Sequence, residues 1–342
     1  MYSIDVFCRV VDNYGDIGVC WRLVRQLSDY GPVRLFIDDL AAFARIEPLI
    51  NPHKMVQSYH RITICHWDQA HTLSPAQWVI ESFGCDLPSP YIEQMPLHTS
   101  VWVNLEYLSA EEWVEAVHGL PSPQPNRVDK YFFFPGFTPR TGGLLRPFQQ
   151  TTPFSWEDIG VPAPRSDRVA FVFSYPNAPI SMLYQALAQR PESWTVYTAA
   201  TTPAVPAPAG LAVHTLPYLA QAQFDQLLDL ADLNIVRGED SFVRAIWAAK
   251  PFIWQPYLQE ENTHLIKLQA WLERTPFTPT IQQLIEAWNQ SLPLASALDM
   301  ALDQYPTWQQ QCRQYASDLA QQTDLARQLV AFCSQIAQNK VK

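Results

Sequence analysis

The chain has 342 residues, of which 48% are hydrophobic and 16% charged, with a net charge of −10 at neutral pH. That balance fits two globular domains with sizeable cores, and excludes a disordered or fibrous chain. The acidic charge argues against non-specific nucleic-acid binding and against adsorption to anionic membranes.

Asp5 and Arg9 interrupt the first apolar run, so no secretory leader is expected, and no run is long enough to span a bilayer. The expected location is the cytoplasm. The first strand lies within residues 2–11. Asp12-Asn13-Tyr14-Gly15-Asp16-Ile17-Gly18 follows, then a helix from Val19 to Ser28 with Val19, Leu23 and Leu27 on one face. The turn lacks the G-x-G-x-x-G spacing of a dinucleotide site. It places two carboxylates, Asp12 and Asp16, at the carboxyl end of a strand, the edge at which open α/β sheets bind ligands. The same residues also suit an Asx turn and a helix cap.

Strands follow at Val33–Ile37, Ile62–His66, Trp78–Glu81 and Val101–Leu105, with a helix at Leu40–Arg45. Ser109-Ala110-Glu111-Glu112 has the pattern of a capping box opening a helix through Val117. Lys130 to Phe137 is dense in aromatics and reads as packing. Thr141-Gly142-Gly143-Leu144 looks like a hinge. Residues 147–168 are rich in Pro and polar residues and mark the domain boundary. The α/β alternation then restarts: strands at Val169–Ser174, Trp194–Thr198, Val213–Leu216, Leu233–Val236 and Phe252–Gln255, and helices at Ser181–Gln189, Gln223–Ala231, Ser241–Ala249 and Glu260–Leu272. The remainder is helical. The expected units are 1–150, an N-terminal Rossmann-like acceptor domain; 151–325, a C-terminal Rossmann-like nucleotide-sugar domain; and 326–342, a final helix crossing back to the first. The alternation resembles the GT-B type of glycosyltransferase, α/β with two facing Rossmann-like domains and a cleft between them, and that likeness is what assigns the acceptor to the first unit and the nucleotide sugar to the second.

Arg237-Gly238-Glu239-Asp240-Ser241 joins a strand to a helix. Gly238 frees the turn, Asp240 or Ser241 suits the cap, and the helix N-terminus with Arg237 suits a phosphate. The two acids fit capping or sugar hydroxyls, not a bare phosphate cradle. The six cysteines, at 8, 20, 65, 85, 312 and 333, show no pairing and read as buried free thiols. No spacing suggests a metal site, and no cofactor is expected.

Taken together, the segments Asp12–Arg22, Asn104–Trp113, Tyr131–Thr138, Arg237–Ser241 and Trp254–Asn262 resemble, in order, the bacterial arginine rhamnosyltransferases that modify elongation factor P, the EarP family. The stretch from Arg274 to Thr280 is shorter than in that family. The resemblance implies transfer of L-rhamnose from dTDP-β-L-rhamnose to one arginine guanidinium of elongation factor P, with inversion and without a metal, in support of translation through polyproline stretches. It implies that Asp12 and Asp16 are the two essential acids and that Phe173 and Tyr175 lie beside the nucleotide. It also implies that Tyr218, Gln221 and Phe224 frame the thymine, and that Arg237, Glu239, Asp240 and Ser241 hold the nucleotide diphosphate. Glu239 reads as a ribose ligand or as a loop brace, and Asp240 as a helix cap more readily than a ligand contact. Glu260 and Asn262 occupy a suggestive strand-to-helix turn near the donor, Asn104 and Glu106 at the end of an N-terminal strand are candidates for touching the protein acceptor, and His264 reads as structural. Asp16 is assigned as general base with Asp12 orienting, although the reverse is open. The rivals are a nucleotide-sugar epimerase and a non-catalytic binder of elongation factor P.

Overall fold

The computed structural model describes residues 2–11, 14–148 and 153–340. Two compact units divide the chain, residues 1–146 with 322–342, and residues 147–321.

The first unit runs β1 (Ile4–Cys8), α1 (Gly15–Leu27), β2 (Val33–Ile37), α2 (Leu40–Ile46), β3 (Val56–Tyr59), β4 (Ile62–His66), β5 (Trp78–Ser82), α3 (Ser89–His98), β6 (Val101–Leu105), α4 (Val114–Val117), β7 (Pro121–Ser122) and β8 (Lys130–Phe133). The sheet order is β3-β4-β2-β1-β5-β6-β8-β7, parallel throughout except for β3 and β7 at its edges. The chain winds outward from β1 on one side, then returns to add β5 on the other. Between β1 and β5 the strand order reverses, the position at which such sheets bind ligands. Strand periodicity splits the core cleanly. Ile4, Val6 and Cys8 join one apolar cluster with residues of α1, while Phe7 joins a second cluster with Tyr91 and Met95 of α3. Asp5 points to that second face, where Arg34 on the neighbouring strand pairs with both its oxygens at 2.6 Å.

The second unit runs β9 (Arg168–Val172), α5 (Ile180–Ala188), β10 (Trp194–Thr198), β11 (Ala212–Thr215), α6 (Gln221–Leu230), β12 (Leu233–Arg237), α7 (Asp240–Ala248), β13 (Phe252–Gln255), α8 (Thr263–Leu272), α9 (Pro279–Asn289), α10 (Ala295–Asp303) and α11 (Tyr305–Ala320). Its sheet is wholly parallel, in the order β11-β10-β9-β12-β13. The reversal here lies between β9 and β12.

The last helix, α12 (Leu325–Asn339), adds Leu325, Ala326, Leu329, Cys333 and Ala337 to the core of the first unit. Its start is fixed by the Leu325 N–H donating to Leu144 O at 3.1 Å. The expected hinge at Thr141–Leu144 is instead a tight crossing. A Cβ on Gly143, whose φ is +73°, would meet Thr323 O at 2.5 Å, so this glycine is required by close approach of two backbones.

Other expectations need correction. The Ser109 hydroxyl accepts from the Glu111 N–H at 3.0 Å and closes a local turn, so no capping box forms and α4 begins only at Val114. α1 begins at Gly15, ahead of Val19. Four elements were not expected, among them β7 and β8, which fall in stretches not read as strands. β3 is an edge strand with little apolar signal, and α3 carries Pro90 in its first turn and Pro96 inside, residues that mask a helix pattern. Among the described residues no helix is long and apolar enough to cross a membrane, and all six cysteines are free and buried.

Candidate active site

In the second unit, Phe173 and Tyr175 follow β9 and Arg237 ends β12, on either side of the strand-order reversal. The sheet brings them together, because β9 and β12 are parallel neighbours whose carboxyl ends lie side by side. The Arg237 guanidinium carbon lies 4.5 Å from the ring centroid of Phe173 and 4.5 Å from that of Tyr175. Its Nη1 donates to Ser174 O at 3.2 Å, and the residue is buried. Two aromatic faces hold the planar cation in one orientation, which a flexible ammonium would not keep.

The turn after Arg237 is closed by neutral groups. Gly238 sits at φ +63°, its N–H donates to Gln255 O at 2.9 Å, and Trp254 Nε1 donates to Gly238 O at 2.7 Å. The Ser241 hydroxyl accepts from the Arg237 N–H at 3.2 Å and donates back to Arg237 O. The Tyr175 N–H donates to Gln255 Oε1 at 2.9 Å, and Gln255 Nε2 donates to Asn177 Oδ1 at 3.3 Å. Neither Asp240 nor Ser241 caps α7. Glu239 holds the cap position without a side-chain cap bond. Asp240 lies inside the first turn, where its Oδ2 accepts from Arg244 Nη1 at 3.0 Å.

Arg244 is the residue that sequence reasoning missed. It is buried, and its Nε donates to Asp225 Oδ1 at 2.5 Å and its Nη2 to Gln221 O at 2.5 Å. Its guanidinium carbon also lies 4.4 Å from the Phe224 ring centroid. Burial disfavours its charge, but Asp225 and Asp240 outweigh that and hold its pKa above the ordinary value. The available signal was the four-residue spacing from Asp240 on an otherwise apolar helix face. Phe224 stands edge-on to Phe171 at 5.2 Å and to Phe173 at 5.6 Å. Arg244 thus links Gln221, Phe224 and Asp240, and Phe224 touches Phe173, which stacks on Arg237. Tyr218 is exposed, and Glu239 is half-buried beside the Arg237 turn.

In the first unit, Asp16 is 3% exposed and lies in the first turn of α1, one residue after the helix start. The cap position belongs to Tyr14, which makes no side-chain cap bond. Asp16 Oδ2 accepts from the Val11 N–H at 2.9 Å, and Asp38 Oδ1 accepts from the Val10 N–H at 3.0 Å. Asp12 lies outside the described residues. Behind Asp16, the Cys8 thiol has a pKa raised well above its ordinary value by its hydrogen bond to Cys20, by burial, and by the charges of Cys20 and Asp16. It stays a thiol, which removes it as a nucleophile.

At the ends of β5 and β6, Asn104 Oδ1 accepts from the Gly84 N–H at 3.0 Å and its Nδ2 donates to Glu106 Oε1 at 2.5 Å. Glu260 and Asn262 lie in a short 3-10 turn after β13, with Asn262 at φ +59°. His264 is buried and its Nδ1 accepts from the Gln259 N–H at 3.5 Å. Among the described residues, no three His, Cys, Asp or Glu side chains cluster so as to hold a metal ion.

Residues 4–334 match the model of the family described as elongation-factor P (EF-P) rhamnosyltransferase EarP. A protein-arginine rhamnosyltransferase of Pseudomonas putida KT2440 is 40% identical over 367 aligned residues, covering 96% of this chain and 97% of the relative. One from Neisseria meningitidis H44/76 is 33% identical, covering 96% of each. Among solved structures, one described as the structural basis for EarP-mediated arginine glycosylation of translation elongation factor EF-P superposes with a TM-score of 0.65 at 27% identity, covering 98% of this chain and 99% of that one. The spinosyn rhamnosyltransferase SpnG with its aglycone superposes with a TM-score of 0.55 at 11% identity, covering 97% and 99%, a likeness of fold. The two Rossmann-like sheets are those of a GT-B glycosyltransferase.

Proposed function

The chain belongs to the EarP family of rhamnosyltransferases, and from that premise we propose how its residues divide the reaction. It is a glycosyltransferase that moves a rhamnosyl group to a protein arginine. The proposed donor is dTDP-β-L-rhamnose and the proposed acceptor is one arginine of elongation factor P. The anomeric configuration inverts, no metal or other cofactor takes part, and the modified factor supports translation through polyproline stretches. The observation that carries this reading is Arg237, held between Phe173 and Tyr175 where the strand order of the second unit reverses.

As the glycosidic bond breaks, negative charge grows on the leaving diphosphate. Arg237 and the Ser241 N–H at the start of α7 are suited to stabilise it, because their positions are fixed before the charge develops. Such an arrangement performs the task for which many glycosyltransferases employ a divalent cation. Gln221 presents an amide that matches the carbonyl and N–H edge of thymine, and Tyr218 offers an exposed ring for stacking, at about 1–3 kcal/mol. Phe224 completes the base frame. Glu239 would accept from the ribose, while Asp240 acts through Arg244 without touching the ligand.

The acceptor poses the harder problem. A protonated guanidinium has no lone pair with which to attack. Removing its proton beforehand at neutral pH would cost roughly 8 kcal/mol, about six pKa units at 1.36 kcal/mol each. A neighbouring carboxylate stabilises the cation and so makes prior deprotonation harder. The carboxylates therefore bind and orient the guanidinium first, and one takes the proton as the N–C bond forms. Asp16 is assigned that step, since its buried carboxylate follows the strand at the reversal point of the first sheet. Asp12 is assigned as the orienting partner.

The test is the intact mass of elongation factor P after incubation with this protein and dTDP-L-rhamnose. A gain of one deoxyhexose on one arginine is expected. No gain, with the donor shown to bind, overturns the acceptor. A new sugar nucleotide formed from the donor alone would instead mark an epimerase.

A further inference from the structure

We propose that Arg244 is a positioning residue that holds the base-recognising end of the donor site in register with the phosphate-binding end. The inference rests on the donor assignment above. α6 carries Gln221 and Phe224, and the turn into α7 with the first residues of that helix carries Arg237 to Ser241. These two helix starts are separate in sequence, and one buried guanidinium ties them together. Its Nε reaches Asp225 at 2.5 Å and its Nη2 the Gln221 carbonyl at 2.5 Å, both in α6, while its Nη1 reaches Asp240 at 3.0 Å in α7. Its guanidinium carbon lies 4.4 Å from the Phe224 ring centroid.

Each of these contacts constrains a direction. The bond to the Gln221 carbonyl fixes the first residue of α6, and with it where the Gln221 amide starts. The cation on one face of Phe224, with Phe171 and Phe173 edge-on, fixes the ring's tilt. An apolar side chain of similar size would pack α6 on α7 without the desolvation that a buried charge suffers. It would not orient the carbonyl or the ring. Lysine would keep the charge but has no planar fork to engage acceptors on two helices at once. The consequence is specific: disturbing Arg244 should damage discrimination between bases more than it damages the hold on the phosphates.

The experiment compares dissociation constants of thymidine diphosphate, deoxycytidine diphosphate and inorganic pyrophosphate for the wild type, Arg244→Lys and Asp225→Asn, with thermal melts of each. Asp225→Asn preserves a neutral acceptor and serves if the lysine variant does not fold. The wild-type preference for thymidine over deoxycytidine diphosphate should shrink about tenfold in either folded variant, as one misaligned hydrogen bond and stack would cause, while pyrophosphate affinity stays within about twofold. A purely structural role would lower all three affinities in proportion, and that result overturns the proposal. So does an unchanged preference in a folded variant. A wild type without any preference for thymine sinks the base-frame assignment itself, and the inference falls with it.

Discussion

The carboxyl edges of the two sheets are pinned by different chemistry. In the first unit, three backbone N–H groups beyond the strands are held by titratable side chains, Val10 by Asp38, Val11 by Asp16 and Phe134 by His118, while Gly84 is held by the neutral Asn104. In the second unit, the corresponding N–H groups of Ser174, Tyr175 and Arg237 are held by Thr202, Gln255 and Ser241, which do not titrate in the physiological range. A surface that must hold a fixed diphosphate gains from acceptors that never change charge. A surface that must receive a proton needs a group whose charge can change. The contrast matches the division of labour proposed for the two units, and each of the following substitutions is a way to break or sharpen it.

The largest effect is expected at Asp16. Asparagine retains an oxygen for the Val11 N–H, so Asp16→Asn preserves the turn and removes the base. Turnover should fall by roughly 10²–10⁴, the range for a lost general base, with donor affinity unchanged, measured by intact-mass time courses and donor titration. Near-normal turnover with intact donor binding would reassign the proton transfer. Next comes Arg237→Lys, which keeps the charge and loses the plane that fits between Phe173 and Tyr175. Turnover should drop about 10²–10³-fold, as for removal of one oriented donor at a developing anion. Donor affinity should fall with it, unlike in Asp16→Asn. If Arg237→Lys left donor binding intact, the phosphate role of the second edge would be wrong. Ser241→Ala should do less. It removes the hydroxyl that bonds the buried Arg237 N–H and carbonyl, so chemical denaturation should report a loss of about 1–3 kcal/mol, and donor affinity should weaken modestly as the turn loosens.

Sequence legibility followed the same divide. The Arg237–Ser241 turn was readable because one glycine with positive φ between an apolar strand and an amphipathic helix has few alternatives. The two doubly wound units were readable from the apolar strands alternating with helices. What failed were the cap readings, in which a short polar side chain had several partners within reach. Ser109 bonds two residues ahead in place of capping, Asp240 turns to Arg244, and Asp16 reaches back to Val11. Local spacing fixes which atoms are near, but tertiary packing chooses among them. Only the Asp240 spacing pointed to Arg244, for a related reason: its other two acceptors lie in α6, which only the fold brings against α7.

His118 offers the smallest test, of whether a titratable acceptor makes the first edge sensitive to pH. Its Nδ1 accepts the Phe134 N–H at 3.0 Å, and its ring lies 4.6 Å from that of Phe133. Burial lowers its pKa below the ordinary 6.5, because the half-buried site disfavours the charged ring. Protonation at Nδ1 would also replace an acceptor with a donor facing a donor. The folded pKa is therefore below the unfolded one. Above the unfolded value both states are neutral and the bond contributes in full. As pH falls through about 6.5 the unfolded chain takes up the proton first, so stability declines until pH passes the folded value. His118→Gln keeps an acceptor for Phe134 without the titration. Thermal melts of both proteins between about pH 7.5 and pH 5 should diverge, with the wild type losing more on acidification. Parallel curves would mean that His118 does not sense pH through this bond, and that the charged character of the first edge rests on its carboxylates alone.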